Sequence, residues 1–314
     1  MYYFIINPTS KSGLGKHLWY DLKTEMDQHK IAYQYYFTKR QFHATKLIEE
    51  ILQLNGEKHI IIVGGDGTLN EAANGFHSYE NASISFIPSG SGNDFAKGIH
   101  LSKNPMYLLT SILTSDTPSH YDQGLCHVSS TKSAPNSLNS NERKFLISAG
   151  IGFDASICYE ALNSKIKNFL NKIKLGKLTY VLIALKQVIN YTLTDAQVQI
   201  DGVITKNYPR IFFIAAMNQP FEGGGFKMAP RAVATDGKLS IAVFYNMSKL
   251  KAILILPLVI FGMHTHAKGF ETFDCETIDI KTNVPLVVHT DGEYAGLTDH
   301  LTFSILPEQI TYLR

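Results

Sequence analysis

Ile60-Ile61-Ile62-Val63-Gly64-Gly65-Asp66-Gly67-Thr68-Leu69-Asn70-Glu71 is the stretch that decides the fold. Four β-branched residues in succession, apolar on both faces, predict a buried parallel strand. The chain then turns on three glycines around one aspartate. Thr68 and Glu71 have capping-box spacing, so a helix is expected to start there and run through Ala72, Ala73 and Phe76. Strand, glycine turn and helix together make an anion site: backbone amides converge where no Cβ obstructs, and the helix N-terminus adds partial positive charge. Asp66 is the odd member, because a bare carboxylate repels phosphate. A Mg²⁺ shared with phosphate oxygens would resolve that conflict. A tight bend without a ligand is the bland alternative. The pattern fits neither the dinucleotide fingerprint, whose third Gly is here Asn70, nor the Walker loop, because Lys-Ser/Thr is missing.

Outward from this stretch the pattern repeats. Tyr2 to Ile6 reads as a strand and runs into Asn7-Pro8-Thr9-Ser10-Lys11-Ser12-Gly13-Leu14-Gly15-Lys16, then a helix through Leu18, Leu22 and Met26. Asn7, Thr9 and Ser10 offer small hydrogen-bonding groups, and Lys11 and Lys16 offer charge. Ile31 to Thr38 predicts another strand and Ala44 to Leu54 another helix. Ser83 to Pro88 is a strand entering Ser89-Gly90-Ser91-Gly92-Asn93-Asp94-Phe95-Ala96, a third Gly-rich turn with an aspartate. Alternating strands and helices predict a right-handed, mostly parallel sheet. All three turns then fall at the strands' carboxyl edge, where such sheets bind ligands.

A boundary is expected near Tyr121-Asp122. Beyond it the chain turns mostly β, with strands over Gln123 to Ser129, Lys144 to Ala149, Ala196 to Ile200, Ile211 to Met217, Leu239 to Tyr245, Glu276 to Thr282 and Leu286 to Thr290. Helical segments around Ile157 to Asn190 and Lys249 to Met263 interrupt them. Many short strands with turn signals imply a sandwich or barrel. Ser130 to Asn141, rich in Ser and Asn, reads as a loop without chemistry. Asp236 precedes Gly237 in a turn entering a strand, which by itself needs no further role. His289-Thr290-Asp291-Gly292-Glu293-Tyr294 is an Asp-Gly hairpin signal, with Glu293 at its tip. Met217 to Phe226 carries three consecutive glycines and could flank a cleft. His264-Thr265-His266 has metal-like spacing with no Cys or carboxylate near it in sequence, and a surface pair is the expectation.

Composition narrows the function classes. At 314 residues the chain can bury a sizeable core and is expected to form two domains. A net charge of +2 gives no general attraction to polyanions, so nucleic acid is not an expected partner. Three scattered cysteines (Cys126, Cys158, Cys275) favour a reducing cytoplasm over a disulfide framework. No signal peptide is expected before the first strand. The apolar run from Ala252 to Met263 would span only about 18 Å as a helix, against about 30 Å of bilayer hydrocarbon. It is too short to cross a membrane but could touch one.

Gly64-Gly65-Asp66-Gly67-Thr68-Leu69-Asn70-Glu71, Gly90-Ser91-Gly92-Asn93-Asp94-Phe95-Ala96 and Asp291-Gly292-Glu293, with Asn7-Pro8, resemble the diacylglycerol kinase catalytic-domain family, especially its soluble bacterial members. Sphingosine and ceramide kinases are relatives. The Gly-Gly-Asp-Gly-Thr turn alone is shared with NAD kinases and resembles that of phosphofructokinase. The later two motifs make the resemblance specific to lipid kinases. It implies a phosphofructokinase-like N-terminal α/β domain over residues 1–121, to which about 301–314 returns. A C-terminal β-sandwich domain over 122–300 would take the lipid, with ATP between the two.

The resemblance also implies site residues. Asn7, Pro8, Thr9, Ser10, Lys11, Thr38, Gly65, Asp66, Gly67, Thr68, Leu69, Asn70, Glu71 and Ser91 would contact ATP. Asp66, Asp94 and Asp122 would form an acidic network around a catalytic Mg²⁺, and Glu293 would be the general base. A structural Mg²⁺ would sit at the Asp236 turn, with main-chain oxygens of Val233 and Lys238. Two departures stand out: Lys11 follows Ser10 where the family commonly has Gly, and Ser91-Gly92 stands where it commonly has Gly-Thr.

The expected reaction is ATP-dependent phosphorylation of a lipid hydroxyl, diacylglycerol giving phosphatidic acid, as a step of phospholipid metabolism. Sphingoid base, undecaprenol, glycolipid and NAD acceptors are alternatives, as is a weakly catalytic nucleotide-binding regulator. A lipid acceptor implies a cytoplasmic protein peripheral to the inner face of the membrane, and the family suggests a homodimer. Ile253 to Phe261 and a helix from Ile166 to Ile189 are expected to line the lipid's route. Lys165, Lys167, Lys172, Lys174 and Lys177 would favour anionic headgroups. Solvated lysines on core helices are the plain alternative.

Overall fold

The computed structural model describes residues 1–115, 117–129, 141–163, 188 and 191–313. The chain forms two compact units. The first comprises Met1–Gln123, Ala234–Asp236 and Leu306–Arg314; the second comprises Gly124–Val233 and Gly237–Ile305.

The first unit is α/β. Its strands β1 (Tyr2–Ile6), β2 (Tyr33–Phe37), β3 (Lys58–Gly64) and β4 (Ala82–Pro88) are parallel, in the order β2-β1-β3-β4. Ile60, Ile61, Ile62 and Val63 are fully buried, as a strand covered on both faces requires. On one face Phe4, Ile6, Ile61, Val63 and Ile87 pack with Trp19, Leu22 and Met26 of α1 (Ser10–Gln28) and with Leu108, Leu109 and Ile112 of α5 (Pro105–Thr114). Helices α2 (His43–Leu52), α3 (Asp66–Gly75) and the short α4 (Asp94–Gly98) complete this part. Strand β1 pairs with β2 on one side and β3 on the other, so the strand order reverses at its carboxyl end.

The end of the chain joins this sheet. Strand β13 (Glu293–Tyr312) places Tyr312 beside Ile84, and the Phe86 amide donates to the Tyr312 hydroxyl at 3.1 Å. Ser85 Oγ donates to the Leu313 carbonyl at 2.7 Å.

The second unit is β-rich and almost wholly antiparallel. It contains half of β5 (Ser119–Val128), then β6 (Glu142–Phe145), β7 (Ser148–Gly152), β8 (Thr194–Ile200), β9 (Ile204–Met217), β10 (Leu239–Tyr245), β11 (Phe270–Cys275), β12 (Thr277–Thr290) and the larger part of β13. The long strands β9 and β12 change partners midway. Both pair with β8 along one half and with β7 along the other. One core gathers Val198, Ile214, Ile241, Ile280, Val288 and Phe303. A second places Phe212, Phe244 and Met217 under α6 (Phe153–Asn163) and α7 (Lys249–Ile260).

Several expectations shift. Lys144 to Ala149 is two strands rather than one, and Glu276 to Thr282 joins Leu286 to Thr290 in a single β12. His264 is not on the surface. It is fully buried against Phe244 and Phe270, with Nε2 at 3.0 Å from the Met228 carbonyl, because the turn at Met263–His266 folds it inward. The expected loop at Ser130 to Asn141 and helix at Ile166 to Ile189, with its lysines, lie almost wholly outside the described residues.

Candidate active site

Three turns follow β1, β3 and β4, and the structure stitches them together. Asn7 Nδ2 donates to Thr68 Oγ1 at 3.0 Å, joining the first turn to the second. Ser10 Oγ and Ser89 Oγ share a buried 2.7 Å hydrogen bond, joining the first to the third. Between the second and third, glycine backbones touch. A Cβ on Gly90 would lie 2.7 Å from the Gly65 Cα and 2.8 Å from Asn93 Oδ1. No side chain fits at Gly90, whereas a Cβ on Gly65 would lie at a tight 3.3 Å from the Gly90 Cα, so Gly90 is the glycine the approach requires.

Each turn also has local support. Asn7 Oδ1 accepts from the Thr9 amide at 3.1 Å and from its hydroxyl at 2.9 Å. Asn93, in the left-handed region at φ +55, exchanges two bonds with the Gly90 backbone, at 3.0 and 3.1 Å. Lys11 has φ +47, left-handed backbone at the position where the resembled motif carries Gly. Thr38 caps the edge of β2 by donating its amide to the Ile6 carbonyl at 2.8 Å.

The capping-box reading of the second turn is corrected. Helix α3 begins at Asp66 with Gly65 as N-cap, and the Thr68 amide donates to the Gly65 carbonyl at 3.0 Å. Glu71 does not reach back to cap its own helix. Its carboxylate accepts from the Ala44 amide of α2 at 3.2 Å. The reason is that Gly65 ends the strand in an extended conformation and lets the helix start at once.

Asp66 has a clear structural task. Its two carboxylate oxygens accept the amides of Asp94 and Phe95, at 3.0 and 3.3 Å, and so cap α4. Asp94 is buried and bridges to Lys97 Nζ at 2.7 Å. Asp122, also buried, accepts the Glu308 amide at 2.8 Å and donates its own amide to the Ala234 carbonyl. Asp66 and Asp94 are thus neighbours, while Asp122 is anchored to the returning C-terminal segment. Ser91, Val233, Asp236 and Lys238 are exposed, and Leu69 and Asn70 are buried.

In the second unit, Glu293 opens β13 at the end of a two-residue hairpin. Thr290 pairs with Glu293, and Asp291 and Gly292 both have positive φ, at +49 and +80. That combination is the primed turn that matches strand twist. The Asp291 carboxylate accepts three amides, those of Leu146 at 2.9 Å, Ile147 at 2.8 Å and Ser148 at 3.0 Å. Glu293 is half-buried rather than solvated at a tip.

Next to the hairpin is a cluster that sequence reasoning did not single out. His289 is fully buried, with Nε2 at 3.2 Å from Asp154 Oδ2 and 3.3 Å from Glu222 Oε1. Burial pushes the imidazole toward neutrality, but the Asp154 hydrogen bond and the Glu222 charge prevail and raise its pKa to about 9. Among the described residues this is the one grouping of three His, Cys, Asp or Glu side chains whose ligand atoms all lie within 4.8 Å. Asp66, Asp94 and Asp122 do not form another. The alternating glycines Gly150 and Gly152 before Asp154 were the available signal, since Gly in a strand marks close approach. A Cβ on Gly150 would lie 2.0 Å from Asp154 Oδ2.

The second unit also holds an apolar cavity of about 70 Å³, lined by Phe153, Phe212 and Phe244 from below and by Ile253, Ile255 and Val259 of α7. The outer side of the same helix exposes Leu250 and Leu254, each about two-thirds accessible, and Phe261 follows at its end. No helix among the described residues is long and apolar enough to cross a membrane.

Glycine turns at the carboxyl edge of a parallel sheet, with Asp66 and Asp94 beside them, are a surface that suits phosphate groups. Residues 1–124 match the family described as diacylglycerol kinase catalytic domain, and residues 152–314 match the YegS C-terminal NAD kinase beta sandwich-like domain. The chain therefore belongs to the diacylglycerol kinase catalytic-domain family, a kinase family. It is 30% identical over 300 residues to the Bacillus subtilis protein YtlR, provisionally named a lipid kinase, covering 95% of this chain and 94% of that one. It is 25% identical over 293 residues to the diacylglycerol kinase of Staphylococcus carnosus, covering 93% and 88%. The fold is similar to that of a Bacillus anthracis protein described provisionally as a diacylglycerol kinase, with a TM-score of 0.74 at 19% identity, covering 99% of this chain and 96% of that one.

Proposed function

We propose that the chain transfers the γ-phosphoryl group of ATP to a lipid hydroxyl, with diacylglycerol giving phosphatidic acid as the first candidate reaction. The observation that carries this reading is the close approach of Gly65 and Gly90 where three Gly-rich turns meet, in a chain of this family. It leaves a backbone cradle at the N-terminus of α3, the kind of surface that accepts phosphate oxygens. The first unit, with this cradle on a parallel sheet, is the part we take as phosphofructokinase-like.

Within the cradle the contacts would fall on Asn7 to Lys11, Thr38, Gly65 to Thr68 and Ser91. Leu69 and Asn70 are buried and Glu71 is turned to α2, so their part is to hold the helix. Phosphoryl transfer rests on positioning and charge neutralisation more than covalent chemistry. Asp66 opens α3 beside the cradle, and its carboxylate also accepts the Asp94 and Phe95 amides. Asp66 would hold Mg²⁺, which when bound offsets charge on the phosphates. Asp94, through Lys97, and Asp122, through the Glu308 amide, would keep the surroundings in place. At the surface turn before β10, Asp236 would hold the structural Mg²⁺ together with the carbonyls of Val233 and Lys238.

Glu293 would take the proton from the acceptor hydroxyl. Its backbone is fixed by a tight hairpin, and its half-exposed carboxylate can reach a substrate. The lipid has to come from a bilayer, and α7 offers apolar side chains on both sides. Leu250, Leu254 and Phe261 would meet the membrane at its inner face, flanked by Lys249 and Lys251. The apolar cavity beneath α7 would be the place for the start of an acyl chain.

The test is an ATP-dependent transfer assay on diacylglycerol, sphingosine, undecaprenol and NAD⁺, with product identified by mass spectrometry. The NAD⁺ arm is included because the C-terminal half matches a domain described by likeness to NAD kinase. Phosphatidic acid formation that collapses in Glu293→Gln supports the reading. Phosphorylation of NAD⁺ alone, or turnover by Glu293→Gln equal to the parent, would sink it.

A further inference from the structure

The Asp154–Glu222–His289 cluster has no place in the mechanism above. It is buried, so it does not touch a substrate, yet it was expensive to build. Two carboxylates and an imidazole are withdrawn from water, and Gly150 is kept bare to make room for them. The three side chains come from three separate places: Asp154 from the start of α6, Glu222 from the glycine loop after β9, and His289 from the end of β12. Glu222 is itself fixed, because its backbone bridges to Phe226 on both sides of Gly223-Gly224-Gly225.

A bound cation is one reading of such a trio. The distances of 3.2 and 3.3 Å from the ring to the two carboxylates suit the edges of a tetrahedral site. The other ring nitrogen decides against it. A histidine that ligates through Nε2 carries its proton on Nδ1 and donates it to an acceptor. Here Nδ1 accepts, from the Gly292 amide at 3.2 Å. The ring therefore has its proton on Nε2, facing Asp154 and Glu222. The pKa of about 9 is therefore that of the coupled cluster, whose retained proton lies between Nε2 and the Asp154 and Glu222 carboxylates, because Nδ1 is occupied by the Gly292 amide.

The same bond shows what the cluster does. Gly292 lies between Asp291, whose carboxylate is held by three amides, and Glu293. Of the two tip amides, that of Asp291 donates to the Ser148 carbonyl at 2.7 Å and that of Gly292 to His289. We propose that His289, oriented by Asp154 and Glu222, is the positioning residue for Glu293, fixing through the Gly292 amide the hairpin from which that carboxylate projects. This rests on Glu293 being the general base. The Arg143 guanidinium, donating to the Tyr294 carbonyl at 3.2 Å, steadies the far side of Glu293.

Two isosteres separate this role from a packing role. His289→Asn keeps an acceptor near the Nδ1 position and loses the Nε2 donor. His289→Gln keeps a donor near Nε2 and loses the acceptor to Gly292. With diacylglycerol and ATP, His289→Gln is expected to lower kcat by about 10- to 100-fold, the cost of a displaced catalytic group, with the KM for ATP within about twofold. His289→Asn recovers most of that loss. Hydrogen exchange of the peptide spanning Gly292 should quicken in His289→Gln and stay slow in His289→Asn. Should His289→Gln not fold, Glu222→Gln gives the same reading, with slower turnover and faster exchange at that peptide.

Equal losses in the two isosteres, or parental turnover in His289→Gln while Glu293→Gln is inactive, would overturn the proposal and leave the base assignment standing. An active Glu293→Gln would remove both. Stoichiometric divalent metal in the purified protein, lost in Glu222→Gln, would also overturn it, because the ring would then be a ligand.

Discussion

The glycine turns after β1, β3 and β4 are held by backbone meeting backbone, whereas the Asp291-Gly292-Glu293 hairpin is held through side chains, its own Asp291 carboxylate reaching amides far along the chain and His289 taking the Gly292 amide. Gly65 and Gly90 approach because Gly90 has no Cβ, and the bonds from Asn7 and Ser10 only secure what the strands already bring together. The hairpin depends on amides 143 to 145 residues before Asp291 and on carboxylates contributed by Asp154 and Glu222. The difference matches the proposed tasks. A phosphate cradle needs converging amides that any strand–turn–helix supplies. A general base needs one carboxylate held to a fraction of an ångström, which calls for constraint from several directions.

The largest effect is expected where one side chain serves both structure and charge. Asp66→Asn removes a charge from the proposed Mg²⁺ residue and one of two caps on α4, so turnover should fall by more than about 10³-fold. Near-parental rates would show that the cradle works through backbone alone. Glu293→Gln comes next, with kcat lowered by at least about 10²-fold and ATP binding, read by calorimetry, nearly intact. Weakened ATP binding in that variant would mean the hairpin contributes to the nucleotide site instead of to proton transfer.

Gly90→Ala tests the backbone approach. Its methyl would have to push Gly65 or Asn93 away, so the thermal midpoint should drop by the equivalent of about 1–3 kcal/mol and the KM for ATP should rise. An unchanged KM would separate the Gly65–Gly90 contact from nucleotide binding. Leu254→Glu on the exposed face of α7 is expected to weaken sedimentation with diacylglycerol-containing vesicles by about tenfold, the worth of one buried leucine side chain. Activity on a short-chain, dispersed acceptor should barely change.

The smallest effect concerns pH. Burial holds the His264 pKa below its ordinary 6.5. Above that value the ring is neutral folded or unfolded, so it contributes no pH dependence. As pH falls through 6.5, the unfolded chain takes up a proton that the folded ring resists, and stability declines. His264→Gln should therefore flatten the loss of thermal midpoint between pH 7 and pH 5. An identical slope would assign that loss to other groups.

Much of this molecule is written locally. The β-branched run Ile60 to Val63, the glycines behind it and the apolar spacing of Leu18, Leu22 and Met26 encode a strand, a turn and a helix. The Asp-Gly pair at 291–292 encodes a primed hairpin, because only such residues accept positive φ there cheaply. These signals need neighbours a few residues away, so the parallel sheet, its turns and the hairpin were readable from residue order.

Side-chain partners were not. Asp66 caps α4, Glu71 turns to α2 instead of its own helix, Asp122 meets the Glu308 amide and His289 meets Asp154 and Glu222. Each pairing joins residues 27 to 186 positions apart. Propensity and periodicity decide what a segment is. Which segments lie side by side, and in what register, is settled only when the sheets form and the cores close. A carboxylate finds its donor at that stage, so the tertiary structure alone decided which acids of this chain are caps and which are anchors.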